Sequence, residues 1–205
     1  MKLRFLKLFI LCFIVIFTVL NGRFGYANLR YWLSDGSAAP LPEGRVARLP
    51  LSPSRTLPVL PGQGLLKIDR LGIAAPIVFG AGNDLKVLYQ NLEQGVVHYS
   101  DSPKPGEKGA SVILGHSSAY PWYKGAYGSV FALLGKLQVG DTIRVQYEDG
   151  STFTFAVKQS LVFSPFGDER RLAEIEKTSG SSIILVSCWP VGTNYKRIAV
   201  QAELI

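Results

Sequence analysis

Four side chains in this sequence have the chemistry for proton and acyl transfer. Cys188 ends the apolar run SSIILVSCWP, His98 lies in GVVHYSDSP, His116 in SVILGHSSAYP, and Arg197 opens the run RIAVQAELI. A thiol has a reference pKa of about 8.5, so a fraction is thiolate at neutral pH without strong activation. To transfer an acyl group it needs a proton carrier and a donor that stabilises charge on the carbonyl oxygen. An imidazole suits the first role, and a guanidinium, always charged, suits the second. Arg197 stands nine residues after Cys188, room for a strand to end, loop and return on the neighbouring track. That spacing brings thiol and guanidinium to one rim.

Each residue also has a quieter account. A free cysteine is frequently a small buried hydrophobe, a lone histidine is more often structural than catalytic, and an arginine at a strand end is commonly a solvated edge charge. The constellation is more specific than its members.

The elements that must position these residues are mostly strands. LLKI, APIVF, GVVHY, ASVILGH, DTIRVQY, TFTFAVKQSLVF, SSIILVS and RIAVQAELI are short β-branched or aromatic runs, separated by Gly, Pro, Asp or Ser. NDLKVLYQNL, SVFALLGKL and ERRLAEIEK have helical spacing, each about three turns or shorter. Asp149 and Gly150 in YEDGSTF signal a hairpin. The pattern predicts a mainly β domain, an antiparallel barrel with a few short helices, because no long helix separates most of the strands. FGAGND, residues 79–84, lacks the spacing and downstream Lys-Ser/Thr of a phosphate loop and reads as a turn before a helix. Asp141, Glu148, Asp149, Asp168 and Glu169 match no EF-hand and read as surface charge, so no metal is expected.

Upstream of this domain the chain changes character. Lys2, Arg4 and Lys7 precede a stretch from Leu8 to Leu20 that carries no charge, a targeting signature. Phe24, Tyr26, Tyr31 and Trp32 resemble an interfacial aromatic belt, so residues 1–33 read as a membrane anchor; GYA, ending at Ala27, reads alternatively as a signal-peptide cleavage site. With the basic residues ahead of the helix, both readings put the remainder outside the cytoplasm. Six of the 12 prolines lie between Pro40 and Pro61, alongside Arg45, Arg48 and Arg55, so residues 34–62 read as an extended stalk. Residues 63–205 are the folded domain.

The charge divides in the same way. The chain has 22 Lys and Arg against 15 Asp and Glu, yet residues 1–34 hold five basic residues and no acidic one, while 63–205 hold 14 basic and 13 acidic. The basic balance belongs to a segment beside anionic lipid, which excludes a nucleic-acid surface on the domain. Of the two cysteines, Cys12 lies in the anchor or leaves with the signal, so Cys188 has no partner within the domain.

The order GVVHYSDSPKPGEKGASVILGHSS, then IILVSC, then RIAVQAEL resembles the sortase family of cysteine transpeptidases over roughly Leu65 to Ile205. Gly95, His98, Pro105, Gly106, Gly109, Gly115 and His116 match that family's first element. The cysteine motif, usually Thr-Leu-x-Thr-Cys, here reads Ile184, Leu185, Val186, Ser187, Cys188, and GHSS stands where Gly-His-Arg is common. Ser187 keeps a hydroxyl beside the thiol. The resemblance implies a closed antiparallel or mixed barrel of about eight strands, preceded by an N-terminal membrane helix. It implies Cys188 as nucleophile, His116 as proton carrier, Arg197 as donor to the carbonyl or oxyanion, and His98 as a secondary histidine. The substrate implied is a sorting-signal peptide of secreted surface proteins, cut typically at Thr-Gly within a Leu-Pro-x-Thr-Gly-like sequence. The implied acceptor is an amine, from a wall-precursor peptide or a pilin lysine, and no metal or organic cofactor is needed. The implied location is the cell membrane, with the catalytic domain extracytoplasmic.

Two other functions fit the residues: a cysteine hydrolase on the same barrel with water as acceptor, and a non-catalytic tethered binding barrel with an inert Cys188.

Overall fold

The computed structural model describes residues 62–80, 84–119, 123, 125–166 and 168–205, with residues 4, 6–17 and 29 nearer the N-terminus; at 169–172 it describes the backbone alone. Residues 6–17 are helical (α1), and their large apolar side chains are about half exposed. Among the described residues no helix is long and apolar enough to cross a membrane. The expected spanning helix is thus not borne out among the described residues, where α1 shows fewer than the roughly 20 apolar residues that a bilayer requires. Apart from residues 4 and 29, the rest of the expected anchor at 1–33 lies outside the described residues, as does the expected stalk at 34–62 up to residue 61.

Eight strands form the domain: β1 (Gln63–Ile68), β2 (Ile73–Val78), β3 (Val96–His98), β4 (Gly109–Leu114), β5 (Thr142–Tyr147), β6 (Thr152–Phe163), β7 (Ser181–Trp189) and β8 (Lys196–Leu204). They close into a barrel in the order β1-β2-β3-β4-β7-β8-β6-β5, with β5 pairing back onto β1. Closure removes every sheet edge. Two of the pairings, β2 with β3 and β4 with β7, are parallel, and the others are antiparallel, so the barrel is mixed.

Period-two alternation sorts the side chains. Leu66, Ile68, Ile77, Ile113, Ile143, Phe155, Ile183, Leu185, Ile198 and Val200 fill the interior. A second cluster, Ala110, Phe163, Ile175, Ile184 and Ala199, lies on the outer face of the β4, β7, β8 and β6 wall. Ile175 belongs to α3 (Glu169–Glu176), which covers that wall; Leu92 of α2 (Leu85–Leu92) likewise packs on Val78 and Val97. Asp84 caps α2, its carboxylate accepting from the Lys86 N–H at 2.8 Å.

The hairpin signal is met. Asp149 Oδ1 accepts from the Ser151 N–H and Gly150 takes φ 85°, so the turn joins β5 to β6. The segment 129–137 departs from its helical spacing: it forms turns that end in a 3-10 helix at Leu134–Lys136. Phe131, Ala132, Leu133 and Leu134 are all buried, so the segment sinks into the barrel instead of offering one face. The Phe131 N–H bonds the His116 carbonyl at 2.9 Å.

One barrel mouth gathers the ends of β4, β6 and β7 and the start of β8. The β5–β6 hairpin and the β3–β4 connection occupy the other.

Candidate active site

Cys188 is the next-to-last residue of β7. Ile183 and Leu185 point into the barrel and Trp189 packs against the same interior cluster, while Ile184 and Val186 belong to the outer one. Alternation therefore turns Cys188 outward, where it is partly exposed.

Arg197 is its direct partner on β8, Cα against Cα across the antiparallel ladder. It shares the outward parity of Ala199, since Ile198 and Val200 are interior. Its Nη1 donates to the Asn194 carbonyl at 2.9 Å and to the Lys196 carbonyl at 3.0 Å. The guanidinium is thereby folded toward its own loop.

His116 arrives from the other side. The parallel β4–β7 ladder runs from Gly109 opposite Ser181 to Leu114 opposite Val186, and the Gly115 N–H continues it to the Val186 carbonyl at 3.1 Å. Two residues beyond Leu114 is His116, and two beyond Val186 is Cys188. Both carry the outward parity of Ala110 and Val112. The three expected residues thus stand on adjacent tracks, β4, β7 and β8, at one mouth and on one face.

The peptide units around His116 are held on both sides. The Ser187 hydroxyl donates to the Gly115 carbonyl at 2.8 Å, and Ser187 is buried. Alternation turns this hydroxyl to the face opposite the Cys188 side chain. Gly115 is a close approach: a Cβ there would lie 2.4 Å from Phe131 Cδ2. A further bond runs from the Gly192 N–H to the Ser118 hydroxyl at 3.1 Å and joins the loop after Cys188 to the loop after His116.

Burial holds the His116 imidazole below its ordinary value, and the Glu93 carboxylate opposes this by favouring the charged form. The Tyr123 ring meets the imidazole edge-on, centroids 5.5 Å apart and planes at 82°. Neither Glu93 nor Tyr123 was singled out by sequence reasoning, since no local spacing ties them to His116.

His98 has a different setting. It is 4% exposed, on the interior face of β3 opposite Ile113. Its Nε2 lies 3.0 Å from the Pro103 carbonyl and 3.3 Å from Ser102 Oγ, and its ring packs on Phe79. The structure does not bring it to the face that Cys188 and His116 share.

A cavity of about 380 Å³ flanks Arg197 on its β6 side, lined by Pro165 and Phe166 from the β6–β7 connection, by Asn194 and Tyr195 from the β7–β8 loop and by Lys196 at the start of β8. Phe166 and Tyr195 are strongly exposed there. Trp189 packs against the interior cluster, and a Cβ on Gly135 would lie 3.2 Å from its indole.

The model of the family described as Sortase domain matches residues 66–205. Sortase D of Bacillus subtilis (strain 168) is 28% identical over 145 residues, which make up 69% of this chain and 63% of that protein. Among solved structures, sortase C1 of GBS Pilus Island 1 superposes with a TM-score of 0.56 at 26% identity, covering 70% of this chain and 64% of that one. Sortase C-1 from Actinomyces oris gives 0.56 at 25% identity, covering 74% and 76%. The chain thus spans less than two thirds of the length of the first two.

Proposed function

The chain belongs to the sortase family, and from that membership we propose that it is a cysteine transpeptidase joining a secreted protein to an amine at the cell surface. Cys188 attacks the carbonyl carbon of a sorting-signal peptide bond. As the sulfur–carbon bond forms, the carbonyl oxygen gains negative charge, which Arg197 stabilises by donating hydrogen bonds. His116, neutral because it is buried, takes the thiol proton and passes it to the leaving nitrogen, so the C–N bond breaks and a free amine departs. A thioester remains on Cys188. An incoming amine attacks it, His116 removes the amine's proton, and the thiolate leaves as the new amide forms. His116 then returns the proton to sulfur.

The observation that carries this reading is the register: Cys188 pairs with Arg197 across β7 and β8, and the β4–β7 ladder ends at Leu114 opposite Val186, two residues before His116 and Cys188. A hydrolase would use the same three groups, so the acceptor decides between the two. In support of an amine, Phe166 and Tyr195 offer apolar cover beside Arg197, which would keep water from the thioester. An N-terminal anchor completes the proposal, supported by the exposed apolar side chains of α1.

The decisive experiment incubates the full chain with a library of sorting-signal peptides, with and without a panel of amines including wall-precursor peptides and a pilin lysine. Mass spectrometry should find a thioester on Cys188 and an amide product that requires added amine. Free acid as the sole product at saturating amine would establish the hydrolase, and a Cys188 that neither acylates nor reacts with a methanethiosulfonate reagent would establish the inert barrel.

A further inference from the structure

Tyr123 occupies a slot made for it. Its hydroxyl donates to the Leu92 carbonyl at 2.8 Å, one of the carbonyls in the last turn of α2 that the helix itself leaves unpaired. Two glycines clear room for the phenol: a Cβ on Gly125 would stand 2.5 Å from the Tyr123 oxygen, and one on Gly128 would stand 2.7 Å from its Cδ1. The base of the slot is firm, since the Leu92 side chain is 6% exposed and packs on Val78 and Val97 of the barrel. Anchored at its hydroxyl end, the ring presents itself to the His116 imidazole in a T-shaped contact.

The groups that bear on the imidazole come from four places. Glu93 follows α2 and supplies negative charge, Tyr123 supplies an apolar ring from its loop, Cys188 stands alongside on β7, and Arg197 lies one track further on β8. Of these, Tyr123 both touches the His116 ring and bonds, through its hydroxyl, to a rigid element. A histidine that must reach first a thiol and then an amine has to be held in one orientation, because a displacement of about 1 Å can cost roughly a hundredfold in rate.

We propose that Tyr123 is a positioning residue for His116, clamping the imidazole between the end of α2 and Cys188 and shielding it from water. This rests on the reading of His116 as proton carrier.

The test uses the full chain and the variants Tyr123→Leu and Tyr123→Phe. The sequence contains two histidines, so the ring Cε1 proton of His116 can be assigned against the His116→Ala variant and followed by NMR through a pH titration. In Tyr123→Leu the aromatic shield is gone, and the His116 midpoint should move upward toward 6.5, the direction that relief of burial gives. Turnover should fall about tenfold or more with KM nearly unchanged. Tyr123→Phe keeps the ring and loses the bond to Leu92, so its midpoint should stay near wild type and its kcat should fall about threefold. A Tyr123→Leu protein that melts earlier yet keeps the wild-type midpoint and kcat overturns the proposal. Should that variant fail to fold, Tyr123→Phe decides alone, and a wild-type kcat counts against the clamp. Failure of the underlying reading looks different: His116→Ala would then retain turnover whatever Tyr123 does.

Discussion

The Ser187 hydroxyl donates to the Gly115 carbonyl, so the residue before the thiol is bonded to the residue before the imidazole. Side chain and backbone thereby fix the spacing of two strands at the point where both residues leave the ladder. Ser187→Ala should lower stability by about 1 kcal/mol, because the part-buried Gly115 carbonyl loses its donor. Ser187→Thr, which keeps a hydroxyl, should retain most of the activity. Chemical denaturation together with the acylation rate of Cys188 checks both.

Gly115 is constrained by the same junction. Gly115→Ala would set a methyl 2.4 Å from Phe131 Cδ2, and overpacking of this kind costs about 1–3 kcal/mol. Turnover should drop along with stability, since the shifted residue is bonded directly to His116. Phe131→Leu in the Gly115→Ala background should restore part of both; a double variant no better than Gly115→Ala alone would refute the steric account.

The two histidines should separate cleanly. His116→Ala is expected to abolish turnover. His98→Ala removes an interior ring bonded to Pro103 and packed on Phe79, so it should lower the melting temperature and leave a measurable share of activity. Steady-state rates with thermal melts distinguish them, and a dead His98 variant beside an active His116 variant would reverse the assignment.

Arg197→Ala should reduce kcat/KM by about 10² to 10³, the usual cost of removing one oxyanion donor. Arg197→Lys keeps charge without the planar fork and should fall between the two. Rapid-quench measurement of thioester formation is the readout. A normal acylation rate in Arg197→Ala would move its role to a later step.

The pH dependence follows from the direction of the His116 shift. Its folded-state value lies below the ordinary 6.5, so between the two the unfolded chain binds the proton more readily. Stability from this group is fully present above 6.5 and is lost as pH falls through the folded value. Activity that depends on neutral His116 should likewise hold as pH drops past 6.5 and decline only below it. Removing the opposing carboxylate with Glu93→Gln should move that decline to still lower pH, measured as kcat/KM against pH.

Much of the fold could be read from local signals. The β-branched runs bounded by Gly, Pro and Asp correspond to the eight strands, and Asp149–Gly150 marks the β5–β6 turn. What stayed hidden depends on distant partners. The helical spacing of 129–137 gave way because Phe131, Ala132, Leu133, Leu134 and Leu137 are all buried, and the Phe131 N–H bonds the His116 carbonyl. The parallel pairing of β4 with β7 leaves no trace in either strand. The Cys188–Arg197 pair was legible because a strand, a loop and a returning strand fix it within nine residues. The place of His116 came through resemblance to a family, and Tyr123 and Glu93 carried no sequence signal, since only the folded chain brings the end of α2 to the loop after β4.

The parallel ladder between β4 and β7 also sets a timetable. Everything from Gly115 to Gly180, including the β5–β6 hairpin and α3, must be made before Ser181 can line up with Gly109. Contacts so distant along the chain form slowly. An emerging polypeptide displays its imidazole long before a sulfur atom can reach it, and the guanidinium comes later still. On the roles proposed above, the three groups meet only when β7 has joined β4 and β8 has joined β7.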